Sequence, residues 1–142
     1  MDLPVGQASS ADATLRISPL QLARAASVLG NGGILPALRI ALAVDTPAQG
    51  WVILPSEQEP LQVMGEAEAR RAANSLVAPE SLYWEFGGSS REGEKSYTWL
   101  AAGTMPDWQG APLTLVVMLE EQNTLLAQTL GESLLRSALG SK

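Results

Sequence analysis

The residues that could do chemistry in this chain are few, because it contains no histidine and no cysteine. Their absence excludes the common zinc, haem and iron–sulfur ligand sets, cysteine nucleophiles and a serine–histidine pair. Catalysis would have to rest on carboxylates, on Lys95 or Lys142, or on a serine activated by lysine. No serine has a lysine three residues later, the spacing that places both on one helix face. We therefore predict no catalytic residue, no metal site and no cofactor.

Two further candidates have simpler explanations. The adjacent carboxylates Glu120 and Glu121 precede the last predicted helix, where they complement the positive end of its dipole. Tryptophan side chains could stack on a sugar, but Trp84 and Trp99 fall on neighbouring predicted strands. A cross-strand packing pair accounts for them without a ligand.

Charge and hydropathy limit the possible partners. The net charge is -6, and only Arg70 and Arg71 are adjacent basic residues, so no basic stripe is available for nucleic acid or an anionic membrane surface. No apolar run approaches the roughly 18 residues of a membrane span. Residues 1–16 form a polar segment without the basic and apolar regions of a signal peptide, and we expect a flexible arm there.

The elements that would position a site begin with a capped helix. Ser18, Pro19 and Gln21 match a helix start with a capping box, and Gly30-Asn31-Gly32-Gly33 matches a helix end. Downstream, the pattern predicts strands at 38–44 and 50–54, a helix at 66–77, strands at 81–86, 95–102 and 113–119, and a helix from an Asn123 cap to about Leu139. Residues 87–94 are expected to form a long flexible turn. The predicted fold is α+β: an antiparallel three-strand meander plus a hairpin, packed against helices, with the last helix on one sheet face.

The first helix resembles a segment of the penicillin-binding protein transpeptidase domain. That family carries a helix with the pattern Thr/Ser-Pro-Leu-Gln-x-Ala, ending in Ala-Asn-Gly-Gly and followed by a proline and a strand. The matching residues here are Ser18, Pro19, Leu20, Gln21, Asn31, Gly32 and Gly33, with Pro36 after them. Later blocks follow in the family's order: 95–101 resembles its Trp-Phe-x-Gly-x-x-Pro strand, with Gly103 displaced by about one residue, 113–119 its last strand and 123–139 its terminal helix.

The resemblance also locates a degenerate motif. The family's Lys-Thr/Ser-Gly lies on the strand before the tryptophan strand, and here Glu85 replaces the lysine, Phe86 the hydroxyl residue, and Gly87 remains, followed by Gly88. The family lysine supplies positive charge for a substrate carboxylate, which Glu85 would repel. The alternative explanation is an exposed strand acid followed by glycines that give a hairpin its flexibility.

The resemblance implies a role, and one alternative stays open. The family's Ser-x-x-Lys and Ser-x-Asn motifs precede the matched region, so residues 17–142 would be the C-terminal part of a transpeptidase-like domain, inactive alone. It would be a fragment or degenerate relative of a peptidoglycan transpeptidase, with the remainder of a larger protein as partner, outside the cytoplasmic membrane. The alternative is a soluble, self-associating interaction module unrelated to cell-wall enzymes.

The apolar strand predicted at 113–119 leads us to expect that the chain associates with itself. In the family this strand is central and pairs on its far side with strands from the first half of the domain. Its sequence LTLVVML has no charge or proline, so an unpaired edge would recruit other strands. We expect a homo-oligomer through this edge, the last helix or an exchanged segment, unless the 38–54 hairpin folds over the edge.

Overall fold

A computed structural model describes residues 17–39, 41–56, 58–77 and 81–140. The predicted flexible arm at 1–16 lies outside the described residues. The helices are α1 (Pro19–Gly30), α2 (Glu66–Ser75) and α3 (Thr124–Gly140), and the strands are β1 (Ile34–Leu35), β2 (Ala43–Thr46), β3 (Gly50–Ile53), β4 (Leu61–Gln62), β5 (Tyr83–Glu92), β6 (Lys95–Thr104) and β7 (Thr114–Leu119). The predicted α+β class is confirmed.

The main sheet is an antiparallel meander in the order β5-β6-β7. Because side chains alternate along a strand, Trp84 and Ala101 point to one face and Tyr83 and Ala102 to the other. Ala26 of α1 and Ala73 of α2 pack on the first face, and Leu135 of α3 packs on the second. The sheet therefore lies between two layers of helix, with α3 on one face as predicted.

The α1 start has the capping box expected from the sequence. The Gln21 backbone N–H donates to Ser18 Oγ at 3.2 Å, and the Ser18 backbone N–H donates to Gln21 Oε1 at 2.8 Å. These two bonds satisfy backbone donors that a helix N-terminus otherwise leaves unpaired. The helix ends at Gly30, followed by the Asn31 cap.

The predicted long turn at 87–94 is wrong. β5 continues through both glycines to Glu92 and pairs along its whole length with β6, so only Gly93 and Glu94 lie outside the two strands. Gly93 has φ 60°, a left-handed conformation that glycine adopts without steric cost. The glycines at 87 and 88 are strand residues because the neighbouring strand approaches them closely, as described below.

The second hairpin forms, but later in the chain than expected. β2 begins at Ala43 and not at residue 38, and its pairing with β3 runs from Ala43↔Ile53 to Thr46↔Gly50. This hairpin is a sheet of its own, so it does not cover β7. The short antiparallel pair of β1 with β4 was not predicted.

No helix in the described ranges is long and apolar enough to cross a membrane.

Candidate functional site

The residues at the predicted degenerate motif lie in the interior of β5, where strand alternation separates them. Glu85 and Gly87 face α3, whereas Phe86 and Gly88 face α1 and α2. The Glu85 backbone N–H points away from β6 and donates to Leu76 O at 3.1 Å. The outer edge of β5 is thus already occupied at this point by the residues that follow α2.

Glu85 is half-buried, and its surroundings disfavour the charged form of its carboxyl group. Its Oε2 is buried and has no hydrogen-bond partner among the described residues. Desolvation by burial raises the pKa of Glu85, and the nearby carboxylate of Glu132 on α3 raises it further. The environment therefore differs from that of an exposed strand acid, which would keep both oxygens in water.

Three side chains around Glu85 complete a small polar cluster between β5 and α3. Tyr83 lies two residues earlier on the same strand face, and burial, Glu132 and Glu85 together raise the pKa of its phenol. The positive charge of Arg136 opposes that shift, and its guanidinium lies 3.4 Å from Glu132 Oε2. We call Tyr83, Glu85, Glu132 and Arg136 the β5–α3 polar cluster.

A carboxyl whose pKa is raised by burial and by a neighbouring carboxylate is a candidate general acid or base. Such a group catalyses only beside a nucleophile or a bound substrate. Lys95 is the only lysine in the described ranges. It pairs in register with Glu92 at the far end of the β5–β6 hairpin. Ala102, the register partner of Glu85, lies seven residues after Lys95 along β6, a distance of about 23 Å. No lysine in the described ranges therefore lies near Glu85.

Phe86 and Gly88 have packing roles on the opposite sheet face. The Phe86 ring stacks on Trp84 at 5.9 Å and meets Trp99 edge-on at 5.8 Å. Trp84 and Trp99 are thus not a direct pair: Phe86 lies between them. A Cβ on Gly88 would lie 3.1 Å from the Trp99 indole, and one on Gly87 would lie 2.6 Å from Trp99 O. Close approach of β6 explains both glycines, and hairpin flexibility does not.

The helix motif residues have structural roles in this molecule. Ser18 and Gln21 form the capping box, and Pro19 begins α1. Gly33 is buried with φ 89°, and its carbonyl oxygen accepts hydrogen bonds from the N–H groups of Val63 and Met64. The remaining motif residues are exposed Leu20, Asn31 at the helix end, and Gly32, whose carbonyl oxygen accepts from the Gln62 side chain. The motif therefore ends α1 and holds the segment around β4 against it.

The β5–α3 polar cluster was not predicted. The sequence shows Glu132 and Arg136 at helical spacing and Tyr83 and Glu85 at strand spacing. Nothing in it indicates which side of α3 faces β5. The part of the chain that the structure describes contains no group of three or more acidic residues that could hold a metal ion.

Comparison with known proteins yields structural similarity without sequence similarity. No protein-family model and no curated protein matches the chain. The fold is similar to the crystal structure of a peptidoglycan synthetase from Bifidobacterium adolescentis, with a TM-score of 0.57 and 17% identity over 86% of this chain. It is also similar to penicillin-binding protein 3 from Mycobacterium tuberculosis, with a TM-score of 0.62 and 13% identity over 96% of this chain.

The chain spans only part of these two structures: 27% of the synthetase and 38% of the penicillin-binding protein. At identities this low, the similarity establishes the fold and no activity. The chain has a penicillin-binding-protein, transpeptidase-like α+β fold.

Proposed function

We propose that this chain is a non-catalytic part or degenerate relative of a penicillin-binding transpeptidase, with a role in peptidoglycan assembly outside the cytoplasmic membrane. The observation that carries the proposal is the fold, similar over 86% and 96% of this chain to two structures described as a peptidoglycan synthetase and a penicillin-binding protein. The helix motif from Ser18 to Gly33 supports it from the sequence.

Inactivity follows from the residues that acyl transfer would need. The sequence has no Ser-x-x-Lys, so no hydroxyl has a lysine amine one helical turn away to accept its proton. At the motif position on β5, Glu85 presents a carboxylate in place of the cation that would attract a substrate carboxylate. The missing Ser-x-x-Lys removes the activated nucleophile of acyl transfer, and Glu85 removes the positive charge for a substrate carboxylate. Neither difference prevents the chain from adopting the fold.

Acylation by a fluorescent penicillin tests inactivity. The purified chain should show no covalent fluorescent band after denaturing electrophoresis, and an intact penicillin-binding protein labelled in parallel serves as the positive control. A stoichiometric band on this chain would contradict the proposal and would identify an unrecognised nucleophile.

The proposed location needs a separate test. An alkaline phosphatase reporter, which is active only in an oxidising compartment outside the cytoplasm, would be fused after Lys142 at the chromosomal locus. We expect phosphatase activity. A fusion that is stable but inactive, together with an active cytoplasmic reporter at the same position, would argue against a role outside the membrane.

A further inference from the structure

Helix α3 is attached to the sheet differently in its two halves. At its start, the Thr98 hydroxyl on β6 donates to Glu121 O at 2.7 Å and accepts from Asn123 N at 2.9 Å. The Asn123 side chain in turn caps the helix by accepting from Leu126 N at 2.9 Å. The first half of α3 is therefore held to β6 by hydrogen bonds as well as by packing.

The second half of α3 is held to the sheet by apolar packing. Leu135 is 2% exposed and packs with Tyr83 and Ala102. The ion pair beside it, between Arg136 and Glu132, lies entirely on α3, so it moves with the helix and does not tie the helix to β5. The attachment of this half thus depends on the burial of Leu135.

Gly131 separates the two halves. It lies in the middle of α3, which spans Thr124–Gly140, and a Cβ at this position would clash with the Leu100 side chain, so the close approach to β6 requires glycine. The same glycine weakens the helix, because glycine loses more backbone entropy on folding than alanine does. The helix is therefore weakest where the two kinds of attachment meet.

The carboxyl group of Glu85 is enclosed next to the second half. Its Oε2 is buried and has no hydrogen-bond partner among the described residues. Because the described chain itself covers this atom, another segment of polypeptide could reach it only if one of the covering elements moved. Water, too, reaches this oxygen only when the cover opens.

The charged and titratable groups around Glu85 come from β5 and α3. Tyr83 precedes it on the same face of β5, and Glu132 lies near it on α3, where Arg136 pairs with Glu132. The Leu76 carbonyl oxygen bonds to the Glu85 backbone N–H and not to its side chain. On this face β6 and β7 contribute uncharged residues: Leu100, Ala102, Thr104 and Leu115.

We propose that ionisation of Glu85 opens the second half of α3, from Glu132 to Gly140, away from β5, while the first half stays bound to β6. In the closed arrangement the carboxylate lacks both water and a hydrogen-bond donor at Oε2, and it lies near a second carboxylate. Opening admits water to Oε2 and moves Glu132 away, at the cost of exposing Leu135. Protonation of Glu85 removes the charge, and with it the reason to open.

Acid favours the closed arrangement. Burial and Glu132 raise the pKa of Glu85 above its ordinary value of 4.5 when α3 is closed, and contact with water in the open arrangement removes the cause of this shift. The closed arrangement therefore binds the proton more tightly than the open one does. Its stability relative to the open arrangement is fully present below about pH 4.5 and is lost as the pH rises through the raised pKa. The result is a pH-dependent local opening of one helix half.

Amide exchange by NMR from pH 4 to pH 8, expressed as protection factors to remove the intrinsic pH dependence of exchange, tests this opening. In the parent chain the amides of residues 135–139, which bond to carbonyl groups of the second half, should lose protection as the pH rises. The amides of residues 128–131, which bond within the first half, should keep theirs. Glu85→Gln should abolish the loss at 135–139. Glu94→Gln, the same replacement in the exposed hairpin turn, is the control and should behave as the parent chain does.

Two further variants separate the contributions of the neighbouring groups. Glu132→Gln removes the second carboxylate and frees Arg136, so the loss of protection should become smaller than in the parent chain, while burial of Glu85 maintains part of it. Tyr83→Phe should retain the loss, because the pKa of Tyr83 is raised above 10 and its phenol stays neutral over this pH range.

Protection at 135–139 that does not change with pH in the parent chain would overturn the inference, as would an equal loss in Glu85→Gln. An equal loss of protection in both halves of α3 would also overturn it, because the whole fold would then respond to Glu85 and not the second half alone. None of these outcomes depends on the penicillin result or on the location of the protein.

Discussion

The indole of Trp84 lies over Gly103 on the neighbouring strand, and its Nε1–H donates to Thr104 O at 3.0 Å. Trp84 is fully buried and belongs to the cluster that joins α1, α2 and the sheet. On the same face Trp99 covers Gly88, its register partner. Two tryptophans thus each occupy the space that a glycine leaves on the adjacent strand.

Gly103→Ala should destabilise the fold by about 2–4 kcal/mol, because the new methyl group forces overpacking in a filled core. Its Cβ would lie 2.5 Å from the Trp84 ring and 2.6 Å from Leu113 O, and neither group can move freely. Gly88→Ala meets the partly exposed Trp99 at 3.1 Å and should cost less. Urea unfolding of both variants measures the difference.

Gly140→Ala is the control, because nothing lies within 4 Å of its Cβ position. Its unfolding midpoint should stay close to that of the parent chain. A Gly103→Ala variant as stable as Gly140→Ala would show that Trp84 does not lie against Gly103 in solution.

Glu85→Gln should stabilise the protein at neutral pH, because the neutral amide removes both the cost of burying the charge and its repulsion with Glu132. The pKa of Glu85 is raised above its ordinary value of 4.5 by burial and by Glu132. The folded state therefore binds this proton more tightly than the unfolded state does. The parent chain should lose stability relative to the variant as the pH rises from about 4.5 through the raised pKa.

Thermal unfolding of both proteins across this pH window, with the stability difference plotted against pH, checks the sign. Glu94→Gln, in the exposed hairpin turn, is the control and should show no such trend. If the stability difference between Glu85→Gln and the parent chain stays constant from pH 4 to pH 8, burial and Glu132 do not raise the pKa of Glu85 in solution.

Features that depend on neighbours in the sequence were predictable. The capping box at Ser18 and the Asn123 cap of α3, where Leu126 N donates to Asn123 Oδ1 at 2.9 Å, are local interactions that the residue spacing reveals. The apolar pattern of 113–119 likewise indicated a strand, and β7 forms there.

Features that depend on contacts across the fold were not predictable. Gly87 and Gly88 normally indicate a turn. Only Trp99 on the next strand explains them inside β5, because its carbonyl oxygen lies against Gly87 and its ring against Gly88. The position of Glu85 beside Glu132 depends on which side of α3 faces β5, which no single-strand or single-helix pattern contains. The equivalence of Glu85–Gly88 with the transpeptidase motif stays a prediction.

Gly93→Ala tests the two-residue turn that replaced the predicted long one. Gly93 has φ 60° and no atom within 4 Å of a Cβ there, so only the backbone conformation opposes the substitution. A left-handed alanine costs roughly 1–2 kcal/mol, and the melting temperature should fall accordingly. Gly93→Asn should recover part of the loss because asparagine tolerates this conformation. If both variants matched the parent chain, the turn would be the long flexible one.

Thr98→Val should loosen the junction between the main sheet and α3. Thr98 is 1% exposed, its Oγ1–H donates to Glu121 O at 2.7 Å, and Oγ1 accepts from Asn123 N at 2.9 Å. Valine keeps the shape and removes both bonds, which leaves a carbonyl and an N–H unpaired and should cost about 1–3 kcal/mol. Because Asn123 caps α3, the Asn123 and Leu126 amides should also exchange faster than in the parent chain.

Thr129→Val is the matched control, because it makes the same replacement at an exposed position of α3, away from the junction with the sheet. It should leave both the stability and the two exchange rates nearly unchanged. Equal effects of the two variants would indicate that Thr98 contributes only its methyl group, and that α3 is held to the sheet by Ala127, Gly131 and Leu135 alone.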